Sequence, residues 1–191
     1  MEPWFPIETE RLQLREIRAT DEDDIHEYAS DPEVVRLMIW GPNTREATRE
    51  FLDRALHTQA KWPRNDVGLA IELKSERRMI GSIALRIQDD KNLTADFGYV
   101  LNRKYWGHGY MTESASAVLS VAFNKLKLHR VWATCHAQNH ASYRVMEKLG
   151  MRREAFFLKN ALEKGAWRDT YLYAILAAEW SAIPANRRFE N

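Results

Sequence analysis

Two glycines separated by a single residue, Gly107 and Gly109, stand in the run Arg103-Lys-Tyr-Trp-Gly107-His-Gly109-Tyr-Met-Thr-Glu113, between a strand-like segment and a long amphipathic helix. A glycine-bearing turn at a helix start leaves several backbone N–H groups without intrahelical partners, and such donors suit an anion. The helix dipole adds about 0.3–1 kcal/mol in the same direction, rising to about 2 kcal/mol when partly buried. The chemistry of this stretch is capture of a phosphate-bearing ligand, although a Gly-x-Gly pair alone also fits a plain tight turn. The nucleotide motifs fail. A Rossmann turn needs a third glycine where this chain has Thr112, and a Walker loop needs a Gly-Lys-Ser/Thr that is absent. His136 and His140 are four apart, but a strand–helix break separates them. With no His-Glu-x-x-His or Cys/His cluster, no metal is expected. Cys135 sits in an apolar strand and is expected to be an inert buried thiol.

The elements that must position this turn follow from hydrophobic periodicity. Glu8 to Ile17 alternates, with Leu12 and Leu14 on one face, and reads as a strand. Thr20-Asp21-Glu22-Asp23 offers a cap and an acidic first turn for a helix running to about Ala29, broken by Asp31-Pro32. A second helix begins after Thr44 and ends before Pro63, carrying Phe51, Leu52, Ala55, Leu56 and Ala60 at helical spacing. Strands Val67–Lys74, Met79–Ile87 and Leu93–Leu101, separated by polar segments, suggest an antiparallel meander. Past the glycine turn, Ala115, Val118, Leu119, Ala122, Phe123 and Leu126 mark one helix face that packs on a sheet. Arg130–His136 is a short strand, and Asn139 caps a helix stopped at Leu149-Gly150. Two last strands fall near Arg152–Leu158 and Ala166–Ala177. The pattern is α+β, a mixed sheet flanked by helices.

At 191 residues the chain is most simply one domain, over residues 8–180, with 181–191 as a C-terminal tail. Its 28 basic and 27 acidic residues leave a net charge of +1, and no basic stripe is interleaved with aromatics, so no nucleic acid or acidic membrane is expected as partner. A single cysteine fits a reducing compartment, and the first residues lack a signal-peptide layout. No apolar run approaches the ~20 residues of a membrane span. A cytoplasmic protein is the expectation, with monomer and homodimer both open.

In its wider arrangement the chain resembles the GCN5-related N-acetyltransferases (GNAT), whose glycine loop has the form Arg/Gln-x-x-Gly-x-Gly/Ala. Here that loop is Lys104-Tyr-Trp-Gly107-His-Gly109, with lysine in the first slot. Met79-Ile80-Gly81-Ser82-Ile83 is similar to the family's third strand and Ala95–Leu101 to its fourth. Asn139-x-x-Ser142 with Glu147-Lys148-Leu149-Gly150-Met151 is similar to its last conserved helix. The opening Glu10-Arg11-Leu12-x-Leu14-Arg15 and the closing Trp167-Arg168-Asp169-x-Tyr171-x-Tyr173 resemble the RimJ/RimL branch.

The resemblance implies a mostly antiparallel sheet whose fourth and fifth strands splay apart to admit the pantetheine arm of acetyl-CoA. It places Phe97, Tyr99, Val100 and Leu101 along that arm. Lys104, Gly107, His108, Gly109, Tyr110, Met111 and Thr112 fall around the pyrophosphate, with Asn139, Ser142 and Lys148 also at the coenzyme. The implied acceptor is a small-molecule amine or a protein N-terminus, ribosomal proteins included. An α-amine of pKa near ~8 costs only about 0.8 kcal/mol to neutralise at pH 7.4, against about 4 kcal/mol for lysine, so a modest base suffices. Many relatives place a tyrosine acid seven residues after the Asn139-like position. Here that position is Met146, leaving Ser142 as the hydroxyl for the departing sulfur. Asp96, at a position where relatives carry a glutamate, is the first candidate base and Glu154 the second. Backbone N–H near Tyr99 or Val100 would polarise the carbonyl. A non-catalytic CoA-binding or regulatory module is the alternative that Met146 favours.

Overall fold

The computed structural model describes residues 3–89 and 91–184. The expected tail from 185 onward, and the first two residues of the N-terminal run, lie outside the described residues. Eight strands form one sheet: β1 (Ile7–Glu8), β2 (Leu12–Glu16), β3 (Asp66–Leu73), β4 (Arg78–Asp89), β5 (Thr94–Leu101), β6 (Arg130–His136), β7 (Arg152–Glu163) and β8 (Ala166–Leu176). Their spatial order is β1-β2-β3-β4-β5-β6-β8-β7. Every neighbouring pair is antiparallel except β5–β6. The mixed, mostly antiparallel sheet expected from the sequence is therefore present. Helices α1 (Glu22–Ala29), α2 (Pro32–Val35) and α3 (Arg45–Gln59) precede the meander. Helix α4 (Tyr110–Ser120) joins β5 to β6, α5 (His140–Lys148) follows β6, and α6 (Ala177–Ala182) closes the described chain.

Two apolar clusters fill the interior. The larger gathers Leu12, Leu14, Ile83, Phe97, Leu119 and Trp180 among others, and the smaller joins Ile17, Ile25, Tyr28, Leu52, Met79 and Val100 under α1 and α3. Leu12 and Leu14 are both fully buried, as their alternation predicts. Thr44 caps α3 by accepting from the Ala47 N–H at 3.2 Å, and Asn139 caps α5 by accepting from the Ser142 N–H at 3.1 Å. Gly81 has a packing reason: a Cβ there would stand 2.3 Å from the Val100 carbonyl oxygen on β5.

Several local expectations needed correction. Asp31-Pro32 starts a helix rather than merely ending one, because the Asp31 carboxylate accepts from the Glu33 N–H at 2.9 Å with proline at the first helical position. Asp21 does not serve as an exposed first-turn acid. It is 3% exposed and holds the buried Arg15 guanidinium through two 2.8 Å contacts, while Arg15 Nε reaches Glu72 at 2.5 Å. The helix after the glycine turn is buried on nearly every side from Met111 to Leu119, then passes into a π-helical turn over Val121–Lys125. The last hairpin is longer than expected, with β7 reaching Glu163. The end of β8 is followed by α6, in which Trp180 is 1% exposed.

Candidate active site

Pairing between β5 and β6 lasts for three residues: Thr94 opposite Arg130, Ala95 opposite Val131 and Asp96 opposite Trp132. Beyond Asp96 the strands part, and β6 from Ala133 to His136 pairs with β8 alone. The edge of β5 from Phe97 to Leu101 is thus left without a strand partner on that side. This is the splay implied by the family resemblance.

The glycine turn meets this gap at the start of α4. Gly107 and Gly109 both have φ of +80°, a conformation that disfavours any residue with a Cβ. Gly109 is the helix N-cap, and the first α4 amide to reach an intrahelical carbonyl belongs to Glu113, which donates to the Gly109 oxygen at 3.0 Å. The N–H groups of Gly109, Tyr110, Met111 and Thr112 are the orphan donors of that helix end. A Cβ at Gly107 would meet no atom within 4 Å, so open space lies over the loop.

Arg11 braces the turn from β2's leading edge. Its guanidinium donates to the His108 carbonyl at 2.9 Å and to Glu113 at 2.7 Å, and lies 4.6 Å from the Tyr110 ring centroid. Burial pushes the Glu113 carboxyl up, but hydrogen bonds from Thr9 and Arg11 outweigh it and hold the pKa below the usual value. The clasp is therefore charged at neutral pH.

Loop and gap open into one cleft of about 1070 Å³. It is lined by the β5 residues Phe97, Tyr99, Val100 and Leu101, by Gly107 and Gly109–Thr112, and by Asn139, Ser142 and Lys148. Two expected coenzyme contacts are not brought into it. Lys104 extends to an ion pair with Glu27, and His108 stacks on Tyr110 with its Nδ1 2.8 Å from the Trp106 carbonyl. Their side chains serve the loop's outer surface.

The catalytic candidates separate. Ser142 lines the cleft, and its Oγ donates to the Tyr99 hydroxyl at 3.2 Å, which in turn donates to the Ser142 carbonyl at 2.9 Å. Burial raises the Tyr99 phenol pKa well above its usual value, so the hydroxyl stays protonated. Burial likewise pushes the Cys135 thiol, at the same gap, up to about 11, consistent with an inert thiol. Asp96 lines the cleft, but its oxygens are taken by Arg86, with Nε at 2.9 Å, and by Gln88. Both of its carboxylate oxygens thus already have partners on β4. Glu154 is not brought to the cleft. On β7 it is clamped by Arg130 and by Arg152 at 2.5 Å, and the Arg130 hydrogen bond heads the causes that lower its pKa. Met146 is 1% exposed and offers no proton. Among the described residues no group of three or more His, Cys, Asp or Glu is placed to hold a metal, and no helix is long and apolar enough to cross a membrane.

Sequence reasoning missed three participants. The Tyr99 hydroxyl and Arg11 depend on contacts 43 and 102 residues away in sequence, which no local pattern displays. Arg86 meets Asp96 across two strands, a pairing that no local pattern displays.

A family model described as an acetyltransferase (GNAT) domain matches residues 11–152. The uncharacterized N-acetyltransferase YnaD of Bacillus subtilis (strain 168) is 38% identical over 176 residues, covering 92% of this chain and 99% of the relative. A crystal structure of a GNAT-family acetyltransferase from Bacillus anthracis superposes with a TM-score of 0.80 at 37% identity, covering 90% of this chain and 98% of that one. The Escherichia coli (strain K12) ribosomal protein uS5-alanine N-acetyltransferase is 29% identical over 84 residues, 44% of this chain and 43% of its own length. With splayed strands, a glycine loop at a helix start and these likenesses together, the chain belongs to the GNAT acetyltransferase family and is an N-acetyltransferase.

Proposed function

We propose that the cleft holds acetyl-CoA between the orphan amides of Gly109–Thr112 and the unpaired edge of β5, and that a primary amine attacks the thioester directly. The observation that carries this reading is the end of β5–β6 pairing at Asp96, beside a helix start whose first N–H groups lack partners. The residues present fit the coenzyme: main-chain donors for a diphosphate at the loop, and a free strand edge for an amide-bearing arm. Acetyl-CoA supplies an activated acetyl group and a thiolate leaving group. Backbone N–H of Tyr99 or Val100 polarises the carbonyl. Ser142 Oγ–H, turning from the Tyr99 oxygen that accepts it in the free protein, gives the departing sulfur its hydrogen bond, while Tyr99, donating to the Ser142 carbonyl, holds the serine in place. Asp96 holds Arg86 in place instead of acting as base. The deprotonation left to the site is small for an α-amine. A protein N-terminus in the cytoplasm is the favoured acceptor class, a ribosomal protein among the candidates. The RimJ/RimL-like motifs and the likeness to the E. coli uS5-alanine N-acetyltransferase support it.

The test follows free thiol release from acetyl-CoA with a panel of free N-terminal peptides and small amines. Ser142→Ala is expected to lower kcat roughly a hundredfold or more, the scale of one general-acid contribution, and Tyr99→Phe about tenfold, the worth of a lost hydrogen bond to Ser142, while CoA affinity stays within about twofold. A double variant with wild-type kcat would remove both from the mechanism. Arg11→Ala has the opposite signature: CoA affinity falls about tenfold as the loop loses its brace, with kcat at saturation little changed.

A further inference from the structure

Asp66, the first residue of β3, lies directly across from Arg86 of β4, and Arg86 directly across from Asp96 of β5. All three line the α1–α3 side of the cleft, the half away from the glycine loop. Opposite charges facing each other on adjacent strands normally pair. Here the guanidinium leans the other way, and both its Nε and a terminal nitrogen go to Asp96. Gly98 allows this, since a Cβ there would stand 3.2 Å from that terminal nitrogen. One cation shared between two acids leaves the row with excess negative charge, and Asp66 carries it. Among the described residues its carboxylate accepts no hydrogen bond and joins no ion pair. Other charges on that side are balanced: Arg64 pairs with Glu16 at 2.5 Å and Arg168 with Glu163 at 2.6 Å. Trp40 and Phe51 add apolar surface to the same cleft.

We propose that Asp66 receives a cationic group of the acceptor, separate from the amine that is acetylated. The inference rests on the proposed reaction for which end of the acceptor reacts. Strands are about 4.8 Å apart, so Asp66 stands roughly 10 Å across the sheet from β5; Tyr99, three residues beyond Asp96, adds a comparable offset along it. The second charge therefore lies about 10–14 Å from the reacting nitrogen. A basic side chain a few residues after a peptide's α-amine meets this span, and so does the far ammonium of a long diamine.

The test is titration calorimetry of the full chain with CoA present, using two matched pairs: 1,8-diaminooctane against octylamine, and Ser-Ala-Lys amide against Ser-Ala-norleucine amide. The cationic member of at least one pair is expected to bind about tenfold tighter, the worth of one charged hydrogen bond. Asp66→Asn should erase that difference and leave octylamine and CoA affinities unchanged, while Asp66→Glu keeps most of it. A response in the peptide pair alone points to protein N-termini, and in the diamine pair alone to small amines. Equal affinities within both pairs, a preference that survives Asp66→Asn, or no binding by any of the four overturns the proposal. If CoA fails to bind yet the Asp66-dependent preference holds, the acetyl-transfer reading falls and this one stands. Turnover without the preference gives the reverse.

Discussion

Replacing Gly107 and Gly109 together by valine is expected to weaken coenzyme A binding on the order of a thousandfold, because two or more charge-assisted main-chain hydrogen bonds worth about 1.5–3 kcal/mol each are lost. Both glycines hold φ of +80°, where a residue with a Cβ costs about 1–2 kcal/mol and a β-branched one more. The turn would relax, and the amides would leave their common aim. Space within the protein is not the obstacle at Gly107, where a Cβ meets no atom within 4 Å. That same open volume is where the diphosphate would lie, so the new side chain competes with the ligand. Gly165 provides the control. It too has positive φ, +78°, and open surroundings, but it turns the β7–β8 hairpin and does not line the cleft. Gly165→Val should cost similar stability and leave coenzyme affinity unchanged in calorimetry. Undiminished affinity in the double glycine variant would end the assignment of the loop.

The largest loss of stability is expected at Arg15. Its side chain is 7% exposed and that of Asp21 5%. Burial disfavours the guanidinium charge, yet Asp21 and Glu72 more than offset this and raise its pKa. Arg15→Ala strands two acids, one almost wholly buried, and should cost about 3–5 kcal/mol. For a protein of this size that lowers Tm by roughly 10 °C. Asp21→Ala should cost less, since Glu72 remains within 2.5 Å of Arg15. A joint Arg15→Met, Asp21→Leu replacement should recover part of the loss, because apolar side chains of similar volume carry no desolvation penalty, while Glu72 is left with Arg18 at 3.6 Å. Thermal melts of the three variants check the order. If Arg15→Ala melts within about 2 °C of the wild type, less than 1 kcal/mol, the pair is not the clamp described.

The local signals were sound where a periodicity or a cap carried them. Leu12 and Leu14 alternate into the core, Thr44 and Asn139 begin their helices, and Arg130–His136 forms its strand with the expected bounds. The glycine turn was legible for the same reason: its backbone requirement lies within three consecutive residues. The acids were not. Asp21, Asp96 and Glu154 look alike along the chain, yet one is buried against Arg15, one is paired with Arg86 and hydrogen-bonded by Gln88, and one is clamped by Arg130 and Arg152.

By itself, then, the order of residues determined most of the strands, the long helices and the glycine turn, which rest on spacing within a dozen residues, and the family, through motifs spread along the chain. The tertiary structure alone decided which charges remain free in the cleft, and that Tyr99 meets Ser142 across it. A charge's chemistry depends on partners brought from other strands, and no short-range pattern encodes which acid an arginine will choose.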